Sequence, residues 1–342
     1  MAIETLIIHK LERFQEDQPA ALRLAEQAIP VGADYEALFS QLKKLFQFKA
    51  GKLFGQFDPA GSTAALPAWL KEHHEGKLPF EKLSHMYAEQ LKSLVDITSE
   101  SFDGYVLCLL ETRADGDRFY IFILESVAGL AIDRDLKLDT VEPLNTSKLD
   151  LALRIDLTDW IDSSEEPYLC MVKARGAGKI GEAFSQSVAF LSSIDSAKET
   201  ETLMEVLAQY TKETPAKEAA DVRQKAYEFC VEQQQLGESV PLSELSGYLD
   251  ENQPTKFAQY AEQTAQLDGK QNLHPDTRKL KHLVRISGKG NGMSLSFSSD
   301  LIQETILFDE QSDTLTITAI PKALKKQILE HLKEQANRDQ QV

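Results

Sequence analysis

The sequence predicts an α+β protein: a mainly antiparallel sheet with covering helices, then a helical region followed by β-hairpins and a C-terminal helix. Three observations point there. Two strongly apolar runs, 104–110 and 119–124, flank a tight turn at Asp115-Gly116, the pattern of an antiparallel hairpin. Four helical stretches lie between 203 and 264, broken by Pro, Gly and acidic turns. Beyond 270 the chain returns to strand-like runs, around a glycine-rich turn ending in Asn291-Gly292.

Taken in order, residues 3–9 run apolar and suit a strand. Apolar positions at 3–4 spacing predict helices over 35–46 and 80–95, the second starting just after Pro79. Gly51, Gly55, Pro59, Gly61 and Pro67 mark a loop between them. After the 104–124 hairpin, further strands are expected at 151–157 and 168–173, giving a sheet with one well-buried face. A helix over 180–191 would cover it. Helices follow at 203–210, 222–235, 241–248 and 254–264, then strands at 282–287, 293–297, 304–308 and 314–318, and a basic helix over 321–333. Residues 1–192 are expected to form an N-terminal α+β domain. Residues 193–342 would hold the helical region and β-hairpins, with a break near 150 as the alternative.

Charge narrows the function. The 342 residues carry 37 Lys+Arg against 54 Asp+Glu, net −17. This argues against indiscriminate binding to nucleic acid or an anionic membrane, so such binding must come from local patches. Two exist. Residues 167–181 hold three basic residues and no acid, and 269–299 hold six basic and one acidic. Between them, 190–268 holds 6 basic and 15 acidic residues. No apolar run approaches the ~18–20 residues of a membrane helix, and the chain reads as soluble and unexported. Cys108, Cys170 and Cys230 sit singly in apolar stretches, as buried free thiols of a reducing compartment do.

The first basic patch, Lys173-Ala-Arg175-Gly176-Ala-Gly178-Lys179-Ile-Gly181, joins a predicted strand to a predicted helix. Glycines there free backbone N–H groups to meet an anion at the helix N-terminus. Because Ile180 follows Gly178-Lys179, this is no nucleotide P-loop. The bland alternative is a solvated turn. The second patch, Ser287-Gly-Lys-Gly-Asn-Gly292, lies between strands below Arg278, Lys279, Lys281, His282 and Arg285. It can act as a wing on a phosphate backbone, or be an ordinary hairpin. Helices at 241–249 and 254–264 have helix-turn-helix spacing, but the second offers only Lys256, Gln259 and Gln263 to a groove, so packed structural helices are favoured.

Catalysis finds little support. GxSxG, HExxH and paired Cys/His spacings are missing. His73-His74-Glu75 reads as an exposed turn and His85 as helical, a poor zinc site. Asp156 and Asp159 could hold a divalent cation, though turn capping explains them better. No metal or other cofactor is expected.

The string Ala152-Leu-Arg-Ile-Asp-Leu-Thr-Asp-Trp160, then Tyr168-Leu and Lys173-Ala-Arg175…Lys179, resembles the bacterial nucleoid-associated protein family known as NdpA or YejK. So do Val222-Arg-Gln-Lys-Ala-Tyr227, the hairpin from Ser287 to Phe297, and Phe308-Asp…Asp313-Thr-Leu-Thr-Ile317, in the family's order. The resemblance implies a cytoplasmic bacterial protein that co-localises with the chromosome and has no known enzymatic activity. The family pattern is more basic between Lys173 and Lys179, with an Arg where Gly178 stands here, which implies a weaker grip on phosphate.

The reading is therefore a nucleoid-associated protein contacting the backbone of double-stranded DNA. Lys173, Arg175, Lys179, Arg278, Lys279, Lys281, Arg285 and Lys289 are the expected phosphate partners. The alternative is an acidic adaptor that docks on another DNA-bound protein. A metal-dependent nuclease built on Asp156 ranks last. A homodimer is left open. The two basic loops are expected to converge on one surface, with the acidic 190–268 helices facing away.

Overall fold

The structure, a computed structural model, describes residues 2–339 apart from 16, 31, 50, 61–64, 99, 115, 133–134, 142, 163–165, 237, 264–266 and 268–269, with side chains described from 5 to 333. Asp115 of the expected hairpin turn and Gly61 of the expected loop lie outside the described residues.

The first part contains β1 (Ala2–Arg13), β2 (Ala21–Arg23), α1 (Ala33–Phe48), β3 (Leu53–Phe57), α2 (Leu66–His74) and α3 (Phe80–Ile97). It continues with β4 (Phe102–Arg113), β5 (Gly116–Glu125), β6 (Gly129–Ile132), β7 (Leu138–Val141), β8 (Leu151–Asp156) and α4 (Leu157–Ile161). Then come β9 (Leu169–Lys173), α5 (Gly178–Ser187) and β10 (Phe190–Ser192). Eight strands form one sheet in the order β10-β3-β9-β8-β5-β4-β1-β2, each pair antiparallel.

This sheet is buried on both faces, which corrects the expectation of one. Alternation along the strands separates the two sets. Val106, Cys108 and Leu110 with Phe119, Ile121 and Ile123 pack toward α2, α3 and α5. Leu107 and Leu109 with Tyr120, Phe122 and Leu124 pack toward Phe39, Leu42 and Phe46 of α1. Consecutive apolar residues, rather than alternating ones, are what two-sided burial demands.

The segment expected to be a loop after Gly51 contains a strand and a helix. Strand β3 lies between β10 and β9, where a Cβ at Gly55 would collide with the Leu191 carbonyl oxygen. Glycine is there for close approach, not for a turn. Helix α2 ends at His74, so His73 and His74 are helical; His73 Nδ1 lies 2.8 Å from the Leu78 carbonyl.

The second part comprises α6 (Ser196–Tyr210), α7 (Ala216–Leu236), β11 (Val240–Pro241), α8 (Leu242–Leu249), α9 (Lys256–Gln263), β12 (Asn272–Leu273) and α10 (Thr277–Leu280). Leu203, Leu207, Phe229, Leu245, Phe257 and Leu280 belong to its own core. Helix α9 buries Phe257 and Ala261, so α8 and α9 are packed structural helices. The two parts meet through polar and aromatic contacts. Arg118 Nη2 donates to Glu238 Oε1 at 2.9 Å, and the Phe54 and His274 rings stand 4.6 Å apart. The three cysteines are free and buried.

The last part is an arm of two ribbons and a helix. It contains β13 (Arg285–Gly290), β14 (Met293–Ser298), β15 (Ile306–Asp309), β16 (Thr314–Ile317) and α11 (Lys322–Asp339). Ile306 is its only buried residue among those described.

Candidate nucleic-acid interface

Register places the basic loops. Leu53 pairs with Met171 and Leu151 with Lys173, so the start of β3, the end of β9 and the start of β8 emerge at one end of the sheet. The Ala174 N–H donates to the Asp150 carbonyl at 2.8 Å, and the Ala177 N–H to the Ala174 carbonyl at 3.0 Å, closing the turn into α5. Arg175 and Lys179 are exposed. Lys173 lays its stem over Gly181, where a Cβ would sit 3.2 Å from its Cε.

The α5 N-terminus already holds an anion. Its N-cap residue, Ala177, supplies no side-chain bond; instead the Ile180 N–H donates to Glu100 Oε2 at 3.1 Å. Gly178 has φ +52°, and a Cβ there would lie 2.6 Å from Glu100 Oε1. The cradle read from the glycines is thus real in geometry, but a carboxylate from the α3–β4 connection occupies it.

Arg278 reaches the same end of the sheet. Its guanidinium lies against Gly51, where any Cβ would collide with Nη2. It also forks onto Asp276, with Nε to Oδ1 at 3.1 Å and Nη2 to Oδ2 at 2.9 Å. Burial tends to raise the Asp276 pKa, but Arg278 outweighs this and holds the carboxyl below its ordinary value. Lys49 and Lys148, both paired with Asp150, complete this cluster, with Lys44 and the exposed Phe48 lining an adjoining groove. Lys44 and Lys49 were not among the cations expected from the sequence. Their signal was available: 41–52 holds Lys43, Lys44, Lys49 and Lys52 with no acid.

The structure thus places Lys173, the turn carrying Arg175, and the Arg278 guanidinium against Gly51 at one end of the sheet. Among the described residues, no hydrogen bond or ion pair joins Lys281, Arg285 or Lys289 to that sheet end; Arg285 turns to Ser296 instead. Acidic helices do not all face away, because Glu201 of α6 pairs with Lys279 and Glu199 with Lys270. The helices of the second part pack around one small apolar core, and opposite charges at its surface pair where they meet.

The ribbon of β13 and β14 has two distinct faces. Its register, Arg285↔Ser298, Ser287↔Ser296 and Lys289↔Ser294, puts two cations and four hydroxyls on one side. Arg285 Nη2 donates to Ser296 Oγ at 3.1 Å. The other side carries Ile286, Met293, Leu295 and Phe297 with Gly288 and Gly290. Cations interleaved with hydroxyls are the groups that contact phosphate and sugar.

The carboxylates considered for metal binding have other partners. Asp156 is held by Arg118 Nε at 2.8 Å and by Arg154 Nη2 at 3.0 Å. Burial and then Asp156 raise the pKa of Asp159. Among the described residues no group of three or more His, Cys, Asp or Glu could hold a metal, and no helix is long and apolar enough to cross a membrane.

The family described as "Nucleoid-associated protein YejK" matches residues 7–325. A relative named "Nucleoid-associated protein" from Pseudomonas savastanoi pv. phaseolicola is 27% identical over 331 residues, 96% of this chain and 99% of the relative. One of the same name from Azotobacter vinelandii is 26% identical, covering 96% and 98%. Another, from Metapseudomonas resinovorans, is 25% identical, covering 96% and 99%.

Proposed function

This chain belongs to the nucleoid-associated protein YejK family, and we propose that it acts there by gripping the phosphate backbone of double-stranded DNA, without cofactor or catalysis. Its place of action on this reading is the nucleoid of the bacterial cytoplasm. We assign residues 1–192 and 193–342 to two domains.

The observation that carries the reading is the polar face of the β13–β14 ribbon. Arg285 and Lys289 stand there among Ser287, Ser294, Ser296 and Ser298, on a ribbon whose residues are largely exposed. A two-stranded ribbon can lie along a duplex groove or backbone. The cluster of Lys173, Arg175 and Arg278 is the second contact. Arg278 and Lys279 exchange a carboxylate partner for phosphate, whereas Lys281 and Lys289 contribute directly. Neutralising about 3–6 phosphates gives a log–log salt slope of roughly −3 to −5. Titrating the purified protein with duplex DNA over a range of salt tests this. A slope in that range supports backbone binding; affinity indifferent to salt, or absent at low salt, rejects it.

A second reading, the adaptor, draws on one further feature. Strands β6 and β7 form a ribbon whose Leu130, Ile132 and Leu138 share an exposed face. Such a patch suits a protein partner, as do the acidic helices for a basic one. Nuclease digestion before affinity capture separates the readings, since partners that survive digestion favour the adaptor.

A further inference from the structure

We propose that residues 285–339 form a dimerisation arm, in which helix α11 of each copy lies on the β15–β16 ribbon of a second copy of this chain. Every described side chain of α11, 322–333, is exposed. Helices that bury no face are marginal in water, and so are isolated two-stranded ribbons. This arm consists of such elements.

Each element nevertheless carries an apolar face. On α11, Leu324, Ile328 and Leu332 recur every four residues, with Leu329 beside them, at 44–53% exposure. That is one face of a helix. On the ribbon, Phe308 and Ile317 share a side and are also exposed. These are the surfaces of a core that one chain does not close.

Charge selects the occupant. The 299–313 segment contains Asp300, Glu304, Asp309, Glu310 and Asp313 with no base, net −5. The 314–333 segment contains Lys322, Lys325, Lys326 and Lys333 against Glu330, net +3. Among the described residues, the ion pair these lysines make is Lys326 with Glu330, 3.8 Å apart within the helix itself; none joins them to the ribbon acids. An acidic ribbon and a basic helix, both amphipathic and joined by no ion pair among the described residues, are complementary to the same pair in a second copy. A two-fold axis makes that contact twice, as an isologous interface requires. The 18-residue helix is about 27 Å long and roughly 10 Å wide. Two such strips give a footprint of about 540 Å² per partner, roughly two-thirds of the ~800 Å² of a standard-size interface.

Sedimentation equilibrium on the full-length chain tests the proposal. Wild type sediments as a dimer at micromolar concentration. Leu324→Glu with Ile328→Glu raises the dissociation constant more than tenfold and leaves the melting of the remaining fold unchanged. Two charge variants make the test independent of folding. Lys325→Glu/Lys326→Glu and Asp309→Lys/Glu310→Lys each weaken self-association more than tenfold, yet a mixture of the two restores a heterodimer, because both contacts regain opposite charge. A monomeric wild type, a dimer indifferent to these substitutions, or a mixture no tighter than its components overturns the proposal.

Discussion

Glu100 caps helix α5 from outside it, accepting the Ile180 N–H at 3.1 Å. The position that the glycine loop prepares for an anion is therefore filled from within the chain. Carboxylates at helix N-termini stabilise by capping and by the helix dipole. Glu100→Ala is expected to cost about 0.5–2 kcal/mol in denaturant unfolding. It is also expected to tighten duplex binding two- to threefold, because a phosphate can then approach Arg175 and Lys179. Unchanged stability on removing Glu100 would falsify the capping role.

Asp156 sits between two buried guanidinium groups, Arg118 and Arg154. Removing one member of such a cluster leaves buried charge uncompensated and typically costs 3–5 kcal/mol. Asp156→Ala should therefore lower the urea midpoint substantially. Incubation of wild type with DNA and Mg²⁺ or Mn²⁺ should give no cleavage. A wild-type nuclease activity lost in a stably folded Asp156→Ala protein would reverse the non-catalytic reading.

Two buried histidines contribute to the acid response. Burial, and then the nearby His85, lowers His9 to about 4. Burial also lowers His274 to about 4, against the opposing pull of Glu199. Between about pH 6.5 and 4 the unfolded chain binds protons that the native histidines refuse. Stability is then fully present above about 6.5 and falls as pH drops toward 4, by on the order of 3 kcal/mol per histidine at most. Urea midpoints measured at pH 7.5 and 4.5 should show the loss, and His9→Gln combined with His274→Gln should flatten it. A profile unaffected by the double substitution assigns the acid response elsewhere.

Glu238 joins the two parts of the molecule through Arg118 at 2.9 Å and Arg113 at 3.6 Å. Glu238→Gln keeps the shape but drops the charge, and hydrogen bonds to charged groups contribute about 1.5–3 kcal/mol. The expected result is faster hydrogen exchange in α7 and at the start of β3, with the centre of the sheet protected as before. Uniform exchange changes, or none, would show that this contact does not couple the parts.

What the sequence revealed depended on range. The runs around 104–110 and 119–124 announced β4 and β5, but which residue faced which layer emerged only once α1 and α3 were found on opposite sides. Strand β3 was missed because Gly51, Gly55 and Pro59 read as punctuation. Its identity depends on β9 and β10, more than 110 residues away. The candidate cations were legible as residue types, whereas their partners were not. Asp276 stands two residues from Arg278 and could have been suspected; Glu201 meets Lys279 across 78 residues. The two faces of the β13–β14 ribbon, by contrast, follow directly from alternation about Asn291-Gly292.

The proposed grip on DNA phosphates rests on cations of this ribbon and of the sheet end. It is tested most directly by anisotropy of a labelled duplex with wild type, Lys289→Glu and Arg175→Glu. Both side chains are exposed, so the reversals should leave the melting temperature nearly unchanged. Each reversal is expected to weaken binding more than tenfold and to make the salt slope shallower by about 1. Reversals that leave both affinity and salt slope at the wild-type value would contradict it.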